Sequence, residues 1–194
     1  MSDELLIRHC SPTLAGVKTA NLFSCPSASR SRTLGELRRL NLRWREKGLC
    51  ALLLRHEGGR ALVYVFRPRA LERDLKNAQA QRLLRRMGYP CARPWHCLAH
   101  LAQRMKEAGE FPHEIGLFLS YPPEDVEGFM SKSAPCKCVG CWKVYGDEER
   151  ACRLFEKYRR CACDYRRRWE KGTPLEKLIV DRDITSAKRK GLRE

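Results

Sequence analysis

The sequence lacks long hydrophobic runs and an export signal. Its longest apolar runs cover residues 49–54 and 61–66, far short of the roughly 20 residues that span a bilayer. Residues 1–10 contain no basic segment followed by a long apolar core, so they do not resemble a secretory signal peptide. The sequence therefore predicts a soluble, cytoplasmic protein that has no membrane partner.

Signatures of several common protein classes are also missing. We find no phosphate-binding loop and no dinucleotide fingerprint, because the glycine pair Gly58 and Gly59 is typical of a turn. A helix-turn-helix, RNA-recognition or KH pattern is absent, and the chain has a single C-x2-C pair where zinc-finger knuckles have two. Cysteine chemistry and charge remain as the informative features.

Cysteine and positive charge are what the sequence has in excess. Lys and Arg number 39 against 23 Asp and Glu, which gives a net charge of +16. Eleven cysteines in 194 residues stay below the roughly 8–10% that marks a disulfide scaffold. Their odd number argues against complete pairing. In a reducing compartment such cysteines serve as small buried side chains, metal ligands or nucleophiles.

The hydrophobic pattern predicts an α+β fold, or a mixed-sheet α/β fold with about five to six helices. Two apolar runs around the turn at residues 56–59 predict an antiparallel hairpin. Further strands are predicted at residues 114–120 and 136–145. Helices are predicted at residues 34–47, 69–87, 94–108, 122–130 and 147–170. We expect one globular domain over residues 1–180 and a frayed basic tail over 181–194.

The first candidate site is the segment 9–16. It is typical of a short strand, a turn and a helix that begins at Pro12, because proline is favoured at the first helical position. Cys10 would then lie beside the positive end of the helix, which lowers its pKa and favours the thiolate. The groups that would cap this helix or hold an anion belong to Ser11, Thr13 and Lys18. The alternative is an ordinary buried cysteine before a helix cap.

The second candidate site is the C-x-C-x2-C run formed by Cys136, Cys138 and Cys141. Three thiols at this spacing could bind one soft metal, such as zinc or iron. A fourth ligand would come from Cys152, Cys161, Cys163 or His113. The alternatives are redox-active thiols, or structural cysteines on a strand or loop.

The third candidate site is His113-Glu114, at the start of an apolar run. His113 could act as the base for a Cys10 nucleophile. Glu114 is unusual because a carboxylate that enters a core needs a partner. The alternative is that Glu114 pairs with an arginine and that His113 bonds to the backbone.

A basic helix over residues 150–170 is the fourth candidate site. Its polar face carries many cations, among them Arg159, Arg160, Arg166 and Arg167. A basic stripe of this kind is typical of nucleic-acid binding. It is equally compatible with docking of an acidic protein partner, or with a solvated face that binds nothing.

Several long motifs resemble one bacterial family. Residues 111–130 and 136–147 resemble the domain-of-unknown-function family 3793, found mainly in anaerobic Firmicutes, and residues 9–23 and 49–68 fit it too. The resemblance covers about residues 5–180. It implies a compact cytosolic protein of this length and no particular activity. Family genes lie near flavodoxin-like and iron-uptake genes, so the resemblance points towards redox or iron metabolism and a flavodoxin-like partner.

These observations lead to one main hypothesis and two alternatives. The main hypothesis is a thiol- or metal-dependent protein of anaerobic redox or iron metabolism that docks an acidic partner. The first alternative is a non-enzymatic nucleic-acid-binding module that uses the basic helix. The second is a hydrolase or transferase whose nucleophile is Cys10 and whose base is His113.

Overall fold

Helices and a small antiparallel sheet make up the described part of the chain. The computed structural model describes residues 1–106, 111–132 and 134–181. The predicted α+β class is confirmed, and every strand pair in this part is antiparallel, so the sheet is not mixed. The strands are β1 Ala20–Pro26, β2 Cys50–Glu57, β3 Arg60–Phe66, β4 Cys138–Val139 and β5 Lys143–Val144.

The helices cover more of the chain than the strands do. Their bounds are α1 Asp3–Leu14, α2 Arg30–Trp44, α3 Pro68–Leu75, α4 Ala78–Arg86, α5 Pro94–Arg104, α6 Ile115–Phe118, α7 Pro123–Ser131, α8 Glu148–Glu170 and α9 Leu175–Leu178. None of the described helices is long and apolar enough to cross a membrane.

The chain divides into two compact units. The first comprises Met1–Arg69 and the chain from Arg160 onward, and the second comprises Ala70–Arg159. The single globular domain over residues 1–180 stays a prediction of the sequence. The predicted tail, except for Asp181, lies outside the described residues.

The first unit is built on a three-stranded sheet in the order β1-β3-β2. The predicted hairpin is confirmed as β2 and β3, which turn at Gly58 and Gly59 with positive φ angles of 55° and 70°. Strand β1 was missed, because its Ser-Cys-Pro-Ser end has the composition of a loop. Helix α2 buries Leu37, Leu40 and Trp44 in the core of this unit.

Two helix starts differ from the prediction. Helix α2 begins a turn early because Ser29 is its N-cap and accepts a hydrogen bond from the Arg32 amide. The predicted helix over residues 69–87 is two helices, since Asn77 caps α4 by accepting from the amides of Gln79 and Ala80. Asparagine favours caps over helix interiors, so the break follows from local chemistry.

Arg67 joins three distant parts of the first unit. Its buried guanidinium donates to the carbonyl oxygens of Thr13, Leu14 and Val180, each at 2.7 Å. The first two belong to the last turn of α1, whose carbonyls have no partner within the helix. Arg67 therefore satisfies the end of α1 and fixes the segment after α9 beside it.

The two strands predicted in the second half of the chain are wrong in extent or type. Residues 114–120 form the helix α6 and the turn that follows it. A short continuous apolar run does not distinguish a buried strand from a buried helix. Residues 136–145 contain only the short hairpin β4–β5, in which Cys138 pairs with Val144 and Val139 with Lys143.

Candidate functional site

Asp125 attaches the β4–β5 hairpin to α7 in the second unit. This carboxylate is only 2% exposed. Its Oδ2 accepts from the indole Nε1 of Trp142, and its Oδ1 accepts from the backbone amides of Tyr145 and Gly146, each at 2.7 Å. A buried carboxylate needs such donors to compensate for its lost hydration. The hairpin is therefore fastened at its second strand and at the turn beyond it.

The same hairpin packs closely against α8. A Cβ atom on Gly140 would overlap Cδ2 of Phe155. The Trp142 indole meets the Phe155 ring edge-on, with centroids 4.5 Å apart. Glycine at position 140 is required by this approach, which places the hairpin tip on the helix.

The packing brings together two thiols, those of Cys138 and Cys152. Cys138 lies in β4 and is half-buried, whereas Cys152 lies in α8 one turn before Phe155 and is exposed. The two thiols are near enough to interact electrostatically. Burial, reinforced by Cys152 and by Glu148, raises the pKa of Cys138 to about 11. Cys138 therefore keeps its proton at neutral pH, and its neighbour is the thiol that reagents can reach.

The three cysteines of the C-x-C-x2-C run do not form a metal cage in this structure. Within residues 1–106, 111–132 and 134–181, no three His, Cys, Asp or Glu side chains are arranged to hold a metal ion. Cys136 is half-buried and Cys141 is exposed, while the Cys141 carbonyl accepts from the Tyr121 hydroxyl at 3.4 Å. Cys138 thus lies beside Cys152, and the three cysteines of the run are not arranged around one point. The predicted zinc or iron site therefore lacks a fitting set of ligands among the described residues.

The predicted environment of Cys10 is wrong. Helix α1 begins at Asp3, with Ser2 as the N-cap that accepts from the Leu5 amide, so Cys10 lies inside the helix. Its side chain is 0% exposed. Burial raises the pKa of the Cys10 thiol, and the charge of Lys18 offsets this only in part. Cys10 is therefore a core side chain with little thiolate character.

The anion-binding groups predicted beside Cys10 have other partners. The Ser11 hydroxyl donates to the Ile7 carbonyl, so Ser11 is not an N-cap. The Thr13 hydroxyl donates to Oδ1 of Asn21 at 2.7 Å, and Lys18 is buried. Pro12 lies near the end of α1, not at its start. The missed signal was Ser2 followed by Asp3 and Glu4, which is typical of a helix start.

Glu114 is a buried structural anchor. It is 1% exposed, accepts from the Tyr89 hydroxyl at 2.7 Å, and pairs with Nη1 of Arg104 at 3.0 Å. The alternative that Glu114 pairs with an arginine is thus confirmed. His113 is exposed, and its ring meets the Phe129 ring edge-on at 4.9 Å. His113 belongs to the second unit and Cys10 to the first.

The basic helix is confirmed as α8, and its cations fall into two groups. Arg159 forms two hydrogen bonds with Glu156, at 2.8 and 2.9 Å, and Arg168 lies 3.9 Å from Asp164. Arg166 and Arg167 are exposed and have no ion pair among the described residues. Arg160 is exposed as well. Part of the predicted charge is thus compensated within the helix.

Together these features define an α+β protein that presents a cysteine pair between a short hairpin and a basic helix. The chain matches the family model described as "Protein of unknown function (DUF3793)" over residues 6–179, and it belongs to that family. No curated protein and no solved structure matches the chain.

Proposed function

We propose that the protein is a thiol–disulfide redox protein whose reacting groups are Cys138 and Cys152. The supporting observation is the proximity of the two thiols, one half-buried and the other exposed. This proposal keeps the redox part of the sequence hypothesis and moves its centre from Cys10 to the hairpin. Its substrate is a disulfide on a protein partner.

The chemistry is a two-step exchange. The thiolate of Cys152 attacks one sulfur of the partner's disulfide, which gives a mixed disulfide and releases the other partner sulfur as a thiolate. Cys138 then attacks the Cys152 sulfur, and the second partner sulfur leaves. The partner gains two electrons and the two thiol protons, while Cys138 and Cys152 become a disulfide. Cys138 loses its proton as it makes this second attack, because the thiolate is the attacking form.

The charge of the chain favours an acidic partner. The net charge is +16, and α8 carries exposed Arg150 and Lys157 as well as Cys152. Positive groups on the same helix as a reactive thiol steer acidic proteins towards it. An acidic redox protein such as a flavodoxin-like protein fits this surface by charge, and it would need a disulfide of its own.

The test is a redox titration of the full chain in glutathione buffers, followed by alkylation and tryptic mapping. Cys138 and Cys152 fall in the tryptic peptides 138–143 and 151–153. We expect these two peptides to become linked by a disulfide in the oxidised protein. The link should be absent in Cys152→Ser and retained in Cys163→Ser, an exposed cysteine on the same helix. A disulfide within peptide 138–143, between Cys138 and Cys141, would contradict the proposal.

Arg166 and Arg167 support a second candidate function, the binding of nucleic acid. Both are exposed and lack an ion pair among the described residues, so they could neutralise phosphates. This function predicts affinity for a duplex or single strand that falls steeply with salt concentration. The double variant Arg166→Glu/Arg167→Glu should lose that affinity, whereas Arg38→Glu, an exposed cation on α2, should lose much less. Equal binding by all three proteins would remove this candidate.

A further inference from the structure

A second pair of cysteines lies in the second unit, with Cys91 in the loop between α4 and α5 and Cys97 in the first turn of α5. The Cys97 sulfur lies 3.6 Å from the carbonyl oxygen of Pro90, the residue that precedes Cys91. The Cys91 sulfur lies 3.9 Å from the Gln81 carbonyl oxygen, and the two thiols are near enough to interact electrostatically. Cys97 thus lies against the chain segment that carries Cys91, and the two side chains are neighbours.

The surroundings hold the loop in place. Tyr89, within the loop, is buried and donates to Glu114 at 2.7 Å. The Tyr89 ring also packs on the His100 ring of α5, with centroids 4.5 Å apart. Glu114 in turn pairs with Arg104 at the end of α5. The segment that carries Cys91 and the helix that carries Cys97 are therefore joined through one buried network.

The two thiols differ in access. Cys97 is 3% exposed, whereas Cys91 is half-buried and reachable by a small molecule. Burial, together with the nearby charge of Cys91, raises the pKa of Cys97 to about 12. A reactive cysteine needs access and thiolate character, so Cys91 suits the first reaction and Cys97 suits the second. A protein substrate would not reach this pair as it reaches exposed Cys152.

We infer that Cys91 and Cys97 form a second oxidation site, which a hydroperoxide converts to an intramolecular disulfide. The thiolate of Cys91 attacks one peroxide oxygen, the O–O bond breaks, and the products are a sulfenic acid and hydroxide or alkoxide. The Cys97 sulfur then attacks the Cys91 sulfur, the S–O bond breaks, and the oxygen leaves as water with the Cys97 proton. Two thiols are oxidised to one disulfide, and the peroxide is the two-electron acceptor.

This site is independent of the proposed function. It uses other cysteines of the second unit and a small oxidant, not a protein disulfide. The experiment therefore uses the double variant Cys138→Ser/Cys152→Ser, in which the first pair is absent. If the Cys138–Cys152 disulfide does not form in the glutathione titration, the proposed function fails. The peroxide result at Cys91 and Cys97 is then still tested separately.

Tryptic mapping after treatment with hydrogen peroxide tests the inference. Trypsin does not cut the Arg93–Pro94 bond, so both cysteines remain in the peptide 87–104. One equivalent of hydrogen peroxide should make this peptide lighter by two hydrogen atoms and protect it from alkylation, and a reductant should reverse both changes. The fluorescence of exposed Trp95, within the closed loop, should change at the same rate.

Single variants separate the two roles. In Cys97→Ala, dimedone should trap the sulfenic acid on Cys91, because no resolving thiol is present. In Cys91→Ser, Cys97 should remain a thiol at the same peroxide concentration. The control Cys136→Ser, another half-buried cysteine, should form the disulfide at the normal rate. The inference is overturned if peptide 87–104 keeps both thiols in the Cys138→Ser/Cys152→Ser variant, or if Cys91 is oxidised to sulfinic acid without a disulfide.

Discussion

The indole Nε1 of Trp142 donates a hydrogen bond of 2.7 Å to Oδ2 of the buried Asp125 carboxylate. The other carboxylate oxygen, Oδ1, accepts hydrogen bonds from the backbone amides of Tyr145 and Gly146. One side chain of α7 thereby fixes the strand that pairs with Cys138. The position of the Cys138 thiol beside Cys152 depends on a carboxylate that takes no part in the chemistry.

The substitution Asp125→Asn should destabilise the second unit. The amide oxygen can replace one carboxylate oxygen, but the amide nitrogen is a donor and would face the remaining N–H groups. Because hydrogen bonds to charged groups contribute about 1.5–3 kcal/mol and unsatisfied buried donors cost a similar amount, we expect a loss of about 2–4 kcal/mol. Urea unfolding followed by tryptophan fluorescence measures it. The control Glu127→Gln breaks an exposed ion pair with Arg86 and should change stability by less than about 1 kcal/mol.

The substitution Gly140→Ala should weaken the contact between the hairpin and α8. The new methyl group would overlap the Phe155 ring, so the hairpin must move away from the helix. We expect a loss of about 1–3 kcal/mol and a lower yield of the Cys138–Cys152 disulfide. The control is Gly35→Ala, in α2, where no atom lies within 4 Å of the new Cβ. It should raise stability by about 0.5–1 kcal/mol, and an equal effect of both substitutions would contradict the close packing at Gly140.

The substitution Arg67→Lys should destabilise the first unit. A lysine ammonium is a compact point charge and lacks the planar fork that lets Arg67 reach three carbonyls together. Losing these hydrogen bonds from a buried charged group should cost about 2–4 kcal/mol in the free energy of unfolding. Thermal and urea denaturation measure the change. Arg39→Lys, on the exposed side of α2, should stay within about 0.5 kcal/mol of the parent.

Alkaline pH should destabilise the first unit through Tyr165. Burial, aided by the charge of Cys161, raises the pKa of Tyr165 from 10.0 to about 12. The folded state therefore holds the phenol proton more tightly than the unfolded state does. The stability that this group contributes is fully present below pH 10 and is lost as pH rises towards 12.

The variant Tyr165→Phe tests this dependence. It lacks the titrating group, so its free energy of unfolding should fall less steeply with pH above pH 10. Urea unfolding at a series of alkaline pH values gives the slope, and phenolate absorbance of the folded protein gives the titration directly. An unchanged slope in the variant would assign the pH dependence to other groups.

Local signals explain most of what the sequence predicted correctly. The hairpin β2–β3 follows from two apolar runs on either side of Gly58 and Gly59. Helix α8 follows from an apolar stripe whose members Ala151, Tyr158 and Tyr165 are buried. In both elements the periodicity and the turn residues lie within one segment. No distant contact was needed to predict them.

The errors come from features that local pattern does not determine. A run of apolar residues before Ser120 fits a buried strand as well as the helix α6. Cys10 was placed at a helix start because Pro12 outweighed the N-terminal signal of Ser2. Cys152 entered only as a possible fourth metal ligand. Its contact with Cys138 depends on how a hairpin packs on a helix, and the spacing of cysteines along the chain carries no information about that packing.

The bonds of Arg67 also bear on the order in which the chain is made on the ribosome. Arg67 emerges long before Val180, the carbonyl it holds at 2.7 Å. The core of the first unit likewise includes Leu175, Leu178 and Ile179 from the same late segment. The sheet of this unit is therefore synthesised early but lacks part of its core until nearly all the described residues have left the exit tunnel. During translation, part of the apolar face of this sheet stays exposed until the segment with Leu175, Leu178 and Ile179 has been synthesised. Chaperones that bind exposed apolar surface can act on the chain during that interval.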